Sequence, residues 1–194
     1  MIRSNYRAAA FSLALLLAGP QAAEAASVSY NGNFTLDSDI QLFNFTVTTP
    51  STVTMETTSF ASGGFAPILT LFDPSGNYDG EVDAANSDAL YSLLLSAPGL
   101  YTLALTEYFN KAVGPNIAAG FDNAGFPGDP NFTGILYGVP GQSFIAPDGM
   151  QRTNAWAVTI QTANTVTVPE PDSLSLAISG MAVLAAFLRR QPAA

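Results

Sequence analysis

The feature that most constrains this chain is an alternation of apolar and polar residues with a period of two. In Gln41–Thr48, Phe43, Phe45 and Val47 alternate with Asn44, Thr46 and Thr48, which puts apolar side chains on one face of an extended strand. Thr52–Thr57 repeats this with Val53 and Met55 against Thr52, Thr54 and Glu56. Tyr101, Leu103 and Leu105 share a face of Leu100–Tyr108, and Trp156, Val158 and Ile160 share one in Ala155–Thr162. Ser27–Phe34 reads as an opening strand, and Pro67–Phe72 (PILTLF) as a strand buried on both faces. Ala89–Ser96 reads as a further strand, joined to Leu100–Tyr108 by Ala97-Pro98-Gly99 as a short hairpin turn. No long stretch of the central region carries a helical face, and its threonine and aromatic residues favour strands. The expectation is an all-β fold: a single β-sandwich of jelly-roll type.

Lys111–Gln151 breaks the alternation and is rich in glycine and proline. Forty residues without secondary structure would be unusual in a compact domain. One short strand near Phe132–Tyr137 is therefore expected, between long surface loops that gather at an end of the sandwich, where binding is often placed.

The two chain ends have a different character. Arg3 and Arg7 precede the apolar run Ala8–Ala18, Gly19-Pro20 ends that run, and Ala23-Glu24-Ala25 is a small-x-small sequence. This is the order of a signal peptide, residues 1–25, with cleavage expected after Ala25. Residues 26–167 are then the exported domain. At the C-terminus Val168-Pro169-Glu170-Pro171 precedes an uncharged run, Ser173–Leu188, and then Arg189-Arg190. The prolines fix φ, remove two N–H donors and keep the tripeptide extended. As a transmembrane helix, Ser173–Leu188 would be about 24 Å long at ~1.5 Å per residue, short against a hydrocarbon core of about 30 Å. The arginines prefer the cytoplasmic side. The segment 168–194 reads as a weak membrane stop beside an accessible handle.

That order resembles the PEP-CTERM sorting signal of bacterial surface proteins processed by an exosortase. The resemblance implies export by the general secretion machinery, a transient anchor in the inner membrane, and processing near Pro-Glu-Pro. It departs from the family's frequent longer basic run, since only Gln191-Pro192-Ala193-Ala194 follow the two arginines. An ordinary tail anchor behind a proline-containing linker is the other reading. A second resemblance lies in Asp37-x-Asp39-x-Gln41-x-Phe43, Gly64-Phe65-Ala66-Pro67-x-Leu69-x-Leu71-Phe72-Asp73-x-Ser75-Gly76, Pro98-Gly99-Leu100-Tyr101-Thr102-Leu103 and Trp156. These look like the DVUA-type sandwich domains of PEP-CTERM cargo, similar in turn to bacterial pre-peptidase C-terminal domains. Ala66 stands where such domains often carry Asp.

Composition narrows the chemistry. The chain has no cysteine and no histidine, which removes most nucleophile–base pairs, the common zinc ligands and any disulfide framework. Lys111 and Arg152 are the only basic residues of region 26–167, against twelve acidic ones; such a surface repels phosphate backbones, so no nucleic-acid partner is expected. No catalytic residue stands out, and the expectation is a non-enzyme without an obligatory cofactor. The acidic run Asp73–Asp83 offers Asp73, Asn77, Asp79 and Asp83 as candidate Ca²⁺ ligands, since calcium takes six to eight oxygens. It is no EF-hand, because Tyr78 and Ala84 stand where glycine and glutamate would be required, and a solvated turn satisfying its own backbone is the simpler reading. Phe126 and Tyr137 are candidates for stacking on sugar rings. Two functions follow from different classes: a non-catalytic surface, adhesion or biofilm-matrix protein, or an extracellular carbohydrate-binding module that docks polysaccharide.

Overall fold

The computed structural model describes residues 26–123 and 128–164. Ten strands run in chain order: β1 (Ala26–Asn33), β2 (Ile40–Val47), β3 (Ser51–Thr57), β4 (Pro67–Phe72), β5 (Tyr78–Asp83), β6 (Leu90–Leu95), β7 (Gly99–Glu107), β8 (Asn110–Ala112), β9 (Phe121–Asn123) and β10 (Ala155–Asn164). Two four-stranded antiparallel sheets carry the orders β1-β10-β3-β6 and β2-β7-β4-β5. Setting aside the small β8–β9 ribbon, the first strand pairs with the last, β2 with β7, β3 with β6 and β4 with β5. This nested pairing, rolled into two facing sheets, is the jelly-roll arrangement expected from the alternation.

The alternating residues meet where the pattern places them. Phe43, Val47, Val53, Met55, Tyr101, Leu103, Leu105, Trp156, Val158 and Ile160 all belong to one buried core. Rings set its middle: Trp156 meets Phe43 edge-on at 5.6 Å, and Phe34 stacks on Phe65 at 4.9 Å. Each such fully buried side chain contributes roughly 1.5–3 kcal/mol through removal from water.

Four expectations need correction. Ala97-Pro98-Gly99 does not close a hairpin, because β6 and β7 lie in different sheets. The burial of each strand explains this. β6 alternates and suits an edge beside β3, whereas β7 is covered on both faces from Leu103 onward and takes a central place between β2 and β4. The crossover is held by Gly99, whose φ of +156° and approach to Pro74 leave no room for a Cβ, and by Tyr101 Oη donating to the Ala97 carbonyl at 2.9 Å.

The second half of the acidic run is not a loop, for Tyr78–Asp83 forms the edge strand β5. Polar residues suit an edge that faces solvent. Phe132–Tyr137 is not a strand: Phe132–Leu136 makes a one-turn helix, α1. Tertiary contacts override its β propensity. Phe132 is fully buried, and Gly134 lies so close to the Gln142 carbonyl that a Cβ would sit 2.1 Å from it.

Finally, the irregular region is not a set of surface loops, although residues 130–154 do gather at one end of the sandwich, against the β1–β2 turn, Gly63 and the end of β7. Phe121 meets Phe72 edge-on at 6.2 Å, and Phe132, Phe144, Ile145 and Ala146 are buried. The segment therefore packs as an additional layer, across that end and, through Phe121, beside Phe72 of β4. Among the described residues no helix is long and apolar enough to cross a membrane. The signal peptide, its cleavage residues Ala23 and Ala25, the span 173–188 and the sorting residues Val168, Pro169, Glu170, Pro171, Arg189 and Arg190 lie outside the described residues.

Candidate functional site

Where the irregular layer meets the sandwich, buried polar groups concentrate. Asp37, in the turn between β1 and β2, is fully buried. Its Oδ2 accepts from the Thr133 amide at 2.9 Å and from the Thr133 hydroxyl, and its Oδ1 accepts from the Phe144 amide at 2.7 Å. The neighbouring Ser38 amide donates to the Pro130 carbonyl at 3.0 Å. One carboxylate and its turn therefore fasten α1 and the 142–146 segment to the sandwich. Burial pushes the Asp37 carboxyl above its ordinary range despite these hydrogen bonds.

The far side of this cluster comes from the end of β7. Tyr108-Phe109 reverses the chain and brings Asn110 back, so that Thr106 Oγ1 donates to the Asn110 carbonyl at 2.7 Å. Asn110 Nδ2 reaches the Ser38 carbonyl at 3.4 Å. Glu107 is fully buried and neither of its carboxylate oxygens has a hydrogen-bond partner. The side-chain oxygens of Asn110 and Asn131 are likewise buried without one. Desolvation, reinforced by the charge of Asp37, raises Glu107 well above the ordinary carboxylate range. The backbone is strained on both sides. Phe109 (φ +73°) and Phe144 (φ +57°) are the non-glycine residues with positive φ among those described, a conformation costly for bulky side chains.

The residues singled out from sequence fall elsewhere. Asp73 and Asn77 do meet, within a self-satisfied turn: Asp73 accepts from the Ser75 and Asn77 amides at 2.8 Å each and from Asn77 Nδ2 at 3.2 Å. The Asn77 amide leads in holding the Asp73 carboxyl below its ordinary value. Asp73 and Asp79 line a cleft of about 400 Å³ together with Leu93–Ala97, Pro98 and Tyr101. Asp83 instead pairs with Lys111, which also reaches Glu81 at 3.4 Å. Among the described residues no three acidic side chains are grouped to hold a metal ion. Tyr137 ends α1 with its ring 6.5 Å from Phe109, at the rim of the buried cluster, where burial raises its phenol above the ordinary value. Phe126 lies outside the described residues.

Sequence reading missed Glu107, Asn110, Asn131 and Thr133. The available signal was local: Glu107 is the one charged residue in the strand-forming stretch Leu100–Tyr108.

No family model matches the sequence, and none of the curated proteins compared with it does. Among solved structures, the chain is similar to the pre-peptidase C-terminal domain of a Bacillus anthracis collagenase. The identity is 17% and the TM-score 0.36, over 42% of this chain and 77% of that one. It is also similar to Aeromonas hydrophila PliG, a periplasmic inhibitor of g-type lysozyme. There the identity is 12% and the TM-score 0.38, over 75% of this chain and 91% of that one. The fold assignment rests on the strand order and register above, not on these two likenesses.

Proposed function

We propose that this chain is an exported, non-catalytic bacterial protein, sorted to the cell surface or the extracellular polysaccharide matrix through its C-terminal PEP-CTERM segment. There it serves surface structure, adhesion or biofilm matrix. The observation that carries the reading is the sequence of segments toward the C-terminus: Pro169-Glu170-Pro171, then the uncharged run 173–188, then Arg189-Arg190, in a chain that opens with a signal-peptide pattern. The absence of histidine and cysteine supports a role without nucleophilic chemistry. Exosortase and the secretion machinery are the partners this reading requires.

The test is the intact mass and location of the native protein, with and without the double change Pro169→Ala/Pro171→Ala. A mass ending near Pro-Glu-Pro, with protein at the surface or in the medium, is expected for the unaltered chain alone. A mass that retains Arg189-Arg190, with protein held in the membrane in both versions, would mean an ordinary tail anchor.

A second reading, a carbohydrate-binding module, is favoured by Tyr108, Phe109 and Tyr137. These three half-buried rings cluster together, and rings of this kind can stack on sugars. Glycan-array binding that is lost on Tyr137→Ala would support it, whereas binding indifferent to that change would not.

A further inference from the structure

The polar centre beneath α1 has an imbalance that the protein does not resolve with its own side chains. Four acceptor oxygens are buried without a partner: both of Glu107, and one each of Asn110 and Asn131. Two of the three residues are tied to one turn, Asn110 through the Ser38 carbonyl and Asn131 through its neighbours Pro130 and Thr133, which bond Ser38 and Asp37. Asp37 adds a second carboxylate close enough for its charge to act on Glu107. No side-chain cation answers them. Region 26–167 has two basic residues; Lys111 is engaged by Glu81 and Asp83, and Arg152 by Asp148 and the face of Phe60.

An uncompensated buried carboxylate is strongly destabilising, and each buried acceptor without a donor adds to that cost. A proton retained on Glu107 would turn one of the four oxygens into a donor and satisfy one other, leaving two without a partner. A divalent cation would satisfy all four and balance two carboxylates. The groups on offer are hard oxygens only, carboxylate and carboxamide, which select calcium-like ions over transition metals.

We propose that this centre binds one calcium-class cation, with Glu107 and the side-chain oxygens of Asn110 and Asn131 as ligands and Asp37 as the supporting charge behind them. This site is separate from the Asp73–Asp83 run. The ion would lock the irregular layer onto the sandwich, because its ligands come from β7, the β7–β8 reversal and the segment entering α1.

The test uses the full chain, purified in detergent and stripped with EDTA, titrated with calcium chloride and followed by thermal unfolding and by terbium luminescence through the nearby tyrosines. Saturable stabilisation at one ion per chain is expected, with a midpoint in the range of about 0.1–1 mM typical of extracellular modules. Glu107→Gln should weaken the midpoint about tenfold or more, and Asn131→Ala, at a half-buried position that leaves the core intact, should also weaken it. Asp73→Asn should leave it unchanged. No stabilisation by about 10 mM calcium, ten times the weakest of those affinities, would overturn the proposal. So would a midpoint indifferent to both Glu107→Gln and Asn131→Ala, or one abolished by Asp73→Asn.

Discussion

The clearest energetic consequence of the structure concerns Asp37→Ala. Truncation leaves two buried backbone donors, the amides of Thr133 and Phe144, without an acceptor; the Thr133 hydroxyl can rotate and is discounted. At about 1–3 kcal/mol for each orphaned group the gross cost is about 2–6 kcal/mol. Part is offset, because burial disfavours the ionised carboxylate, as its raised pKa records. We expect a net loss of about 3 kcal/mol, a large share of a typical total of about 5–15 kcal/mol. Urea unfolding of the full chain, read by the fluorescence of its single tryptophan, Trp156, measures it. Hydrogen exchange should localise the damage to the Thr133 and Phe144 amides. Asp39→Ala is the control. Asp39 accepts from the Thr35 and Leu36 amides at 2.6 and 3.0 Å in a turn that water can reach, so its loss should cost below about 1 kcal/mol. Equal costs for the two substitutions, or an Asp37→Ala cost under about 1 kcal/mol, would refute the idea that Asp37 fastens the outer layer.

Two further outcomes follow from close contacts and charge. Gly32 pairs with Trp156 across β1 and β10, and a Cβ there would lie 2.4 Å from Trp156 Cζ2. Gly32→Ala should therefore cost about 1–3 kcal/mol and shift the Trp156 emission; an unchanged spectrum and stability would contradict the packing. Asp73→Asn removes a carboxyl whose pKa is lowered in the folded state. Such a group stabilises above its unfolded pKa and stops doing so as pH falls through the lower folded value. The parent chain should melt higher than the variant at neutral pH, with the gap closing below about pH 4; a gap that widens in acid would contradict this.

The alternation of Phe43, Phe45 and Val47, or of Trp156, Val158 and Ile160, made strands and core legible because side-chain direction is fixed by local geometry. Partner choice was not local. Nothing in Ala97-Pro98-Gly99 announces a change of sheet, since the decision rests on both faces of β7 finding cover, and part of that cover is the irregular layer itself. The same limit hid the polar centre: Asp37, Glu107 and Thr133 are far apart in sequence, and only the folded chain brings them together. By contrast, the turn at Asp73 was readable because its donors, Ser75 and Asn77, lie within four residues.

The nested pairing also sets an order in time. β10 sits between β1 and β3, pairing Ala26 with Thr162 and Ser51 with Asn164. A chain emerging from its N-terminus thus holds β1 and β3 for almost a hundred residues or more before their common neighbour appears. Until then the sheet lacks one of its two inner strands, two edges stand open to other chains, and Trp156 has not yet reached Phe43. The β2-β7-β4-β5 sheet has all its strands by Glu107, but the facing sheet does not. Its closing strand is the last one to arrive, and rapid completion, rather than gradual growth, is what keeps those edges from pairing elsewhere.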